Sequence, residues 1–97
     1  MPYVMGTLKV EDFDTWYSGF SSPDATATRK AAGTKSHQIF QTEDDPNHIG
    51  ILLEWDTLDN ARRYFGSEKF QEAQKSVKVL GQPEMYFLKE VEKKPYG

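Results

Sequence analysis

Ninety-seven residues suffice for one small domain, whose thin core would benefit from oligomerisation. Twelve Lys and Arg against fifteen Asp and Glu give a net charge of −3. No basic cluster exceeds a pair such as Arg62-Arg63 or Lys93-Lys94, which argues against a nucleic-acid partner. The absence of cysteine excludes disulfides, thiol catalysis and Cys-ligated metals and fits a cytoplasmic setting, while no apolar run approaches the about 20 residues of a membrane span.

Along the chain, Met1-Pro2-Tyr3-Val4 lacks the basic and apolar regions of a signal peptide, so none is expected. Tyr3 to Val10 is rich in β-branched and aromatic residues and reads as a strand. Asp12 opens a helix whose Phe13, Trp16, Tyr17 and Phe20 share one face. Ser22 caps and Pro23 begins a second helical piece that runs to about Ala32 and stops at Gly33. A second strand is expected over Ser36 to Thr42, a turn at Asp44-Asp45-Pro46-Asn47, and a third strand over His48 to Trp55. Asp56 or Thr57 caps the next helix, with Leu58, Ala61 and Phe65 as its apolar stripe. Gly66-Ser67 breaks it, and Phe70, Ala73 and Val77 continue it until Gly81 and Pro83 end it. Met85 to Val91 is expected as the last strand and 92–97 as a polar tail, so 1–97 reads as a single domain.

The order β-α-β-β-α-β is the ferredoxin-like α+β pattern, an antiparallel sheet with its helices on one face. Alternation then assigns the faces. Ile49, Ile51, Leu53 and Trp55 point one way in the third strand, with Leu52 on the other side. Val4, Leu8 and Val10 oppose Tyr3 and Met5, and Met85 and Phe87 oppose Tyr86 and Leu88. Both faces are apolar, whereas a sheet covered on one side alternates cleanly. A second copy packed against the second face, making a homodimer, is the simplest cover.

The stretch Leu52-Leu53-Glu54-Trp55-Asp56-Thr57-Leu58-Asp59-Asn60-Ala61 leads from a strand into a helix and on to Phe65 and Phe70-Gln71-Glu72-Ala73. With the Phe13 to Trp16 helix and the Pro83-Glu84-Met85-Tyr86-Phe87 strand, it resembles the dimeric α/β-barrel superfamily. The nearest branch is the antibiotic-biosynthesis-monooxygenase-like and small cyclase-like proteins. The resemblance implies a homodimer packed sheet to sheet. It also implies a pocket for a small aromatic or quinone-like ligand and, in the oxygenase members, chemistry that needs no cofactor. Members often carry histidines on the second helix; here Tyr64 and Lys69 stand at the corresponding places, and no helix carries a His.

Candidate site residues follow from side-chain chemistry. His37, on the same face as Ile39, can accept a phenolic proton near neutral pH, or it can be an ordinary edge-strand or interface residue. Tyr64 and Tyr86 can orient a ligand oxygen or serve an interface. Trp16, Tyr17, Phe20, Trp55 and Phe65 can wall a flat ligand or simply fill the core. Glu54 reads as a solvated strand residue or a partner for Lys9. Arg29, Lys30, Arg62 and Arg63 read as a solvated helix face paired with acids. His48 beside the acidic turn is a weak metal candidate, so neither a metal nor a cofactor is expected. Three functions remain open: a cofactor-free oxygenase, a cyclase or isomerase using the same pocket, and a non-catalytic binding dimer with a stress-related role.

Overall fold

The computed structural model describes residues Met1–Gly97. In chain order the elements are β1 (Tyr3–Val10), α1 (Phe13–Phe20), α2 (Pro23–Ala32), β2 (Thr34–Gln41), β3 (His48–Trp55), α3 (Leu58–Phe65), α4 (Glu68–Ser76) and β4 (Val79–Leu88). Each helical connection of the β-α-β-β-α-β pattern is therefore split in two. The strands form one antiparallel sheet in the order β2-β3-β1-β4, a ferredoxin-like α+β fold.

Local chemistry sets the helix boundaries. The Asp12 carboxylate accepts from the Thr15 backbone N–H and hydroxyl, both at 2.9 Å, while Asn47 Oδ1 accepts from Phe13 N–H at 2.8 Å. The β2–β3 turn thus helps cap α1, satisfying N–H groups that a helix start leaves free. Ser22, Thr57 and Ser67 cap α2, α3 and α4 through hydroxyls that accept from Ala25, Asn60 and Phe70. Gly33 closes α2 at φ 123°, a conformation that only glycine adopts without strain, and a Cβ there would overlap the Asp56 carboxylate.

The core sits between helices and sheet. Val4, Leu8 and Val10 of β1 and Ile49, Ile51, Leu53 and Trp55 of β3 point into it, joined by Trp16 and Ala61. Trp55 and Ile49 are fully buried. Burying such side chains stabilises by roughly 1.5–3 kcal/mol each.

Two strands differ in their bounds from the sequence reading. β2 begins at Thr34, directly after the Gly33 cap. β4 begins at Val79 rather than Met85 and ends at Leu88 rather than Val91. Helix α4 stops at Ser76 because Lys78 turns into the left-handed region at φ 56°. Gly81 and Pro83 then fall inside β4 instead of before it. Gly81, at φ 69°, lies beside the register shift between Thr7 and Lys9, and Pro83 is tolerated because β4 is an edge strand.

The second sheet face is uncovered within the chain. Register brings Met5 opposite both Leu52 and Tyr86, and Phe40 opposite Gly50, all on this face. Met5, Phe40, Leu80 and Tyr86 are 41%, 53%, 52% and 50% exposed, an apolar patch larger than isolated surface residues make. In the tail, Tyr96 is 92% exposed.

Candidate functional site

Between the helices and the inner sheet face lies an apolar cavity of about 520 Å³, within the range of small-molecule sites. Trp16 and Phe20 of α1 form one wall, and Tyr64, Phe65 and Phe70 of α3 and α4 form the other. The floor is sheet. Gly6 stands between its partners Ile51 and Met85, and all three line the cavity. A Cβ at Gly6 would meet nothing nearer than the Glu84 carbonyl at 3.7 Å, so the missing side chain leaves open space. Gly19 lies in the wall where a Cβ would overlap Val77 Cγ1; its lack of a side chain lets α1 approach the end of α4.

The rings pack in two groups. Trp16 stacks on Phe20 at 4.9 Å between centroids. Opposite, Tyr64, Phe65 and Phe70 meet at 4.8–5.6 Å, with Trp55 beneath Tyr64 and Phe65 at 5.6 Å from each. Such ring pairs contribute about 0.5–1.5 kcal/mol beyond area burial. They hold the walls in fixed orientation.

Arg29 is the buried charged group lining the cavity, and the sequence reading as a solvated, acid-paired helix residue is corrected. The residue is 6% exposed. Its Nη2 donates to the Phe20 carbonyl at 2.6 Å, and its guanidinium lies 3.7 Å from the Phe20 ring centre. No carboxylate pairs with it, since the ion pair in the structure is Arg62 with Asp59. Burial lowers the Arg29 pKa, an effect opposed by the Tyr64 phenol. Burial likewise raises the Tyr64 pKa, and the Arg29 charge works against that rise. Tyr64 thus faces the cavity as a neutral hydroxyl beside a cation.

The remaining candidates fall in three places. Trp16, Phe20, Tyr64 and Phe65 come together around the cavity. His37 is set behind it, with its ring edge-on to Phe20 at 5.1 Å. Partial burial and the Arg29 charge lower the His37 pKa, favouring the neutral imidazole. Tyr17, 45% exposed, stacks outward on Phe13, and Trp55 lies wholly within the core, so neither meets the cavity. Tyr86 is on the uncovered sheet face, where its hydroxyl donates to Glu84 Oε2 at 3.0 Å and Glu84 raises its pKa. Glu54 accepts from the Ser36 hydroxyl at 3.0 Å, and Lys9 stands opposite His48 instead of Glu54. Nowhere do three or more His, Asp or Glu side chains gather as metal ligands would.

The antibiotic biosynthesis monooxygenase family model matches residues 23–76, more than half of the chain. The chain belongs to this family. No curated protein sequence matches it. Among solved structures, the antibiotic biosynthesis monooxygenase fold recurs at 14% identity and TM-score 0.72, over 95% of this chain and 100% of the other. SnoaB of Streptomyces nogalater, a cofactor-independent oxygenase, matches at 17% identity and TM-score 0.75, over 98% and 97% of the two chains. A dimeric ferredoxin-like protein from an uncultured marine organism matches at 13% identity and TM-score 0.68, over 99% and 100%. At these identities the likeness to the family's solved structures is one of fold.

Proposed function

We propose that this family member is a homodimeric pocket protein that oxygenates a small aromatic or quinol-like metabolite without a cofactor. The observation that carries the reading is the aromatic-walled cavity with a neutral phenol and a cation at its wall. Family membership and the cofactor-independent oxygenase of like fold support it. In this chemistry dioxygen is the oxidant. The substrate loses two hydrogens, one from a ring carbon and one from a phenol oxygen; that carbon gains one oxygen atom, and the other oxygen leaves as water. The protein's part is to exclude water, hold the ring and stabilise the electron-rich anion that meets oxygen.

Tyr64 orients the ligand oxygen in this reading. His37 stays behind Phe20 and makes no contact with the ligand. His37→Ala is therefore expected to change turnover by less than about threefold, whereas loss of a true general base costs about a hundredfold or more. A hundredfold loss would return the proton-transfer role to His37.

Oxygen-electrode measurements with naphthoquinols and polycyclic phenols test the reading. Oxygen uptake above the enzyme-free rate, lowered by Tyr64→Phe, is the expected result. Ligand binding without uptake would contradict it in favour of a non-catalytic binding protein, which the absence of an imidazole from the cavity wall favours. Conversion of the substrate without oxygen uptake would mean cyclase or isomerase chemistry.

A further inference from the structure

The buried Arg29 has more hydrogen-bonding capacity than its surroundings use. A guanidinium offers five N–H donors and no acceptor. Nη2 donates to the Phe20 carbonyl and the Tyr64 phenol interacts with the group, which still leaves donors unused; the guanidinium carbon lies 3.7 Å from the Phe20 ring centre. The buried side-chain atoms wholly sealed without a partner are Thr34 Oγ1 and Trp55 Nε1, so no Arg29 nitrogen is sealed off unpartnered, and Arg29 lines the cavity. A buried cation lacking a carboxylate partner carries a desolvation cost that a ligand anion can offset. The other charged groups along the cavity, Asp24, Lys69 and Glu72, are exposed, and their charges are screened by solvent.

We infer that Arg29, beside the Tyr64 hydroxyl, is an anion-binding site built into the apolar cavity, and that the ligand is a planar aromatic molecule bearing one carboxylate or phenolate oxygen. Guanidinium and phenol both donate, so they recognise the charged oxygen, while Trp16, Phe20 and Phe65 take the rings. The inference rests on the cavity being the ligand site. It does not rest on oxygen chemistry, so it stands or falls separately from catalysis.

Calorimetric titration of the full chain with 2-naphthoate and uncharged 2-naphthamide is the test. 2-Naphthol titrated on either side of its own ionisation distinguishes a carboxylate-specific site from one that also takes phenolate. The wild type is expected to bind the naphthoate about tenfold or more tightly than the amide, the factor a charge-assisted hydrogen bond contributes. Arg29→Met should abolish that preference, Arg29→Lys should keep part of it, and Arg62→Met, an equal change in net charge outside the cavity, should preserve it. Equal affinities for the two ligands, no binding of either, or a preference lost equally in Arg62→Met would overturn the inference. The wild-type comparison and Arg29→Lys decide the matter even if Arg29→Met does not fold.

Discussion

Phe20 is the side chain on which the local electrostatics turn. Its ring lies under Arg29, beside Trp16 and against the edge of His37. The position of that ring links a cavity cation to an imidazole outside the cavity. Because burial and Arg29 lower the folded-state pKa of His37, the unfolded chain binds the proton more readily. Stability from this source is present above the unfolded pKa of about 6.5 and is lost as pH falls through the lower, folded value. Thermal melts between pH 5 and 7.5 should therefore show a slope that His37→Gln flattens; an unchanged slope would mean other groups set it. The effect is small, since much of the ring reaches solvent. Arg29 was not legible in the sequence. Beside Lys30 on a polar helix it looks solvated, and its burial arises only when α2 folds back onto the Phe20 end of α1. His37 was legible as far as its face, because alternation puts it with Ile39, but no local pattern reveals that Phe20 would screen it.

Among the elements, Gly6 leaves the cavity floor open, while Gly19 lets α1 close against the end of α4 in its wall. Gly6→Val adds a β-favouring side chain to the floor without backbone conflict, at a residue with no left-handed φ. It is expected to melt no lower than the wild type while weakening aromatic ligands at least tenfold, measured by calorimetry; undiminished binding would place the ligand elsewhere. Gly19 behaves oppositely. Gly19→Ala forces Val77 from its place and should cost about 1–3 kcal/mol in urea unfolding, the range for overpacking. Val77→Ala in the same chain should recover part of that loss, because the overlap is with a Val77 methyl group. Element order and the helix caps could be read from sequence because capping residues and apolar periodicity act within a few residues. The start of β4 could not. Gly81 and Pro83 resemble terminators along the chain and become acceptable only at a sheet edge beside a register shift.

For the whole molecule, alternation in the sequence already showed both sheet faces to be apolar, and the structure leaves one of them bare. Which face bears the cavity was not legible, because it depends on the spacing of the two helix pairs, α1–α2 and α3–α4, over Gly6. We expect a second copy to cover the bare face, giving a dimer in sedimentation velocity that Met5→Glu combined with Phe40→Glu converts to a folded monomer. A wild-type monomer would contradict that arrangement. In the proposed site, small aromatic ligands enter between helices and sheet. Amide chemical-shift mapping with 2-naphthoate tests it most directly. The largest saturable shifts are expected at Gly6, Gly19, Phe20, Arg29 and Phe65. Shifts concentrated instead at Met5, Phe40, Leu52 and Tyr86 would place the ligand on the opposite sheet face and contradict it.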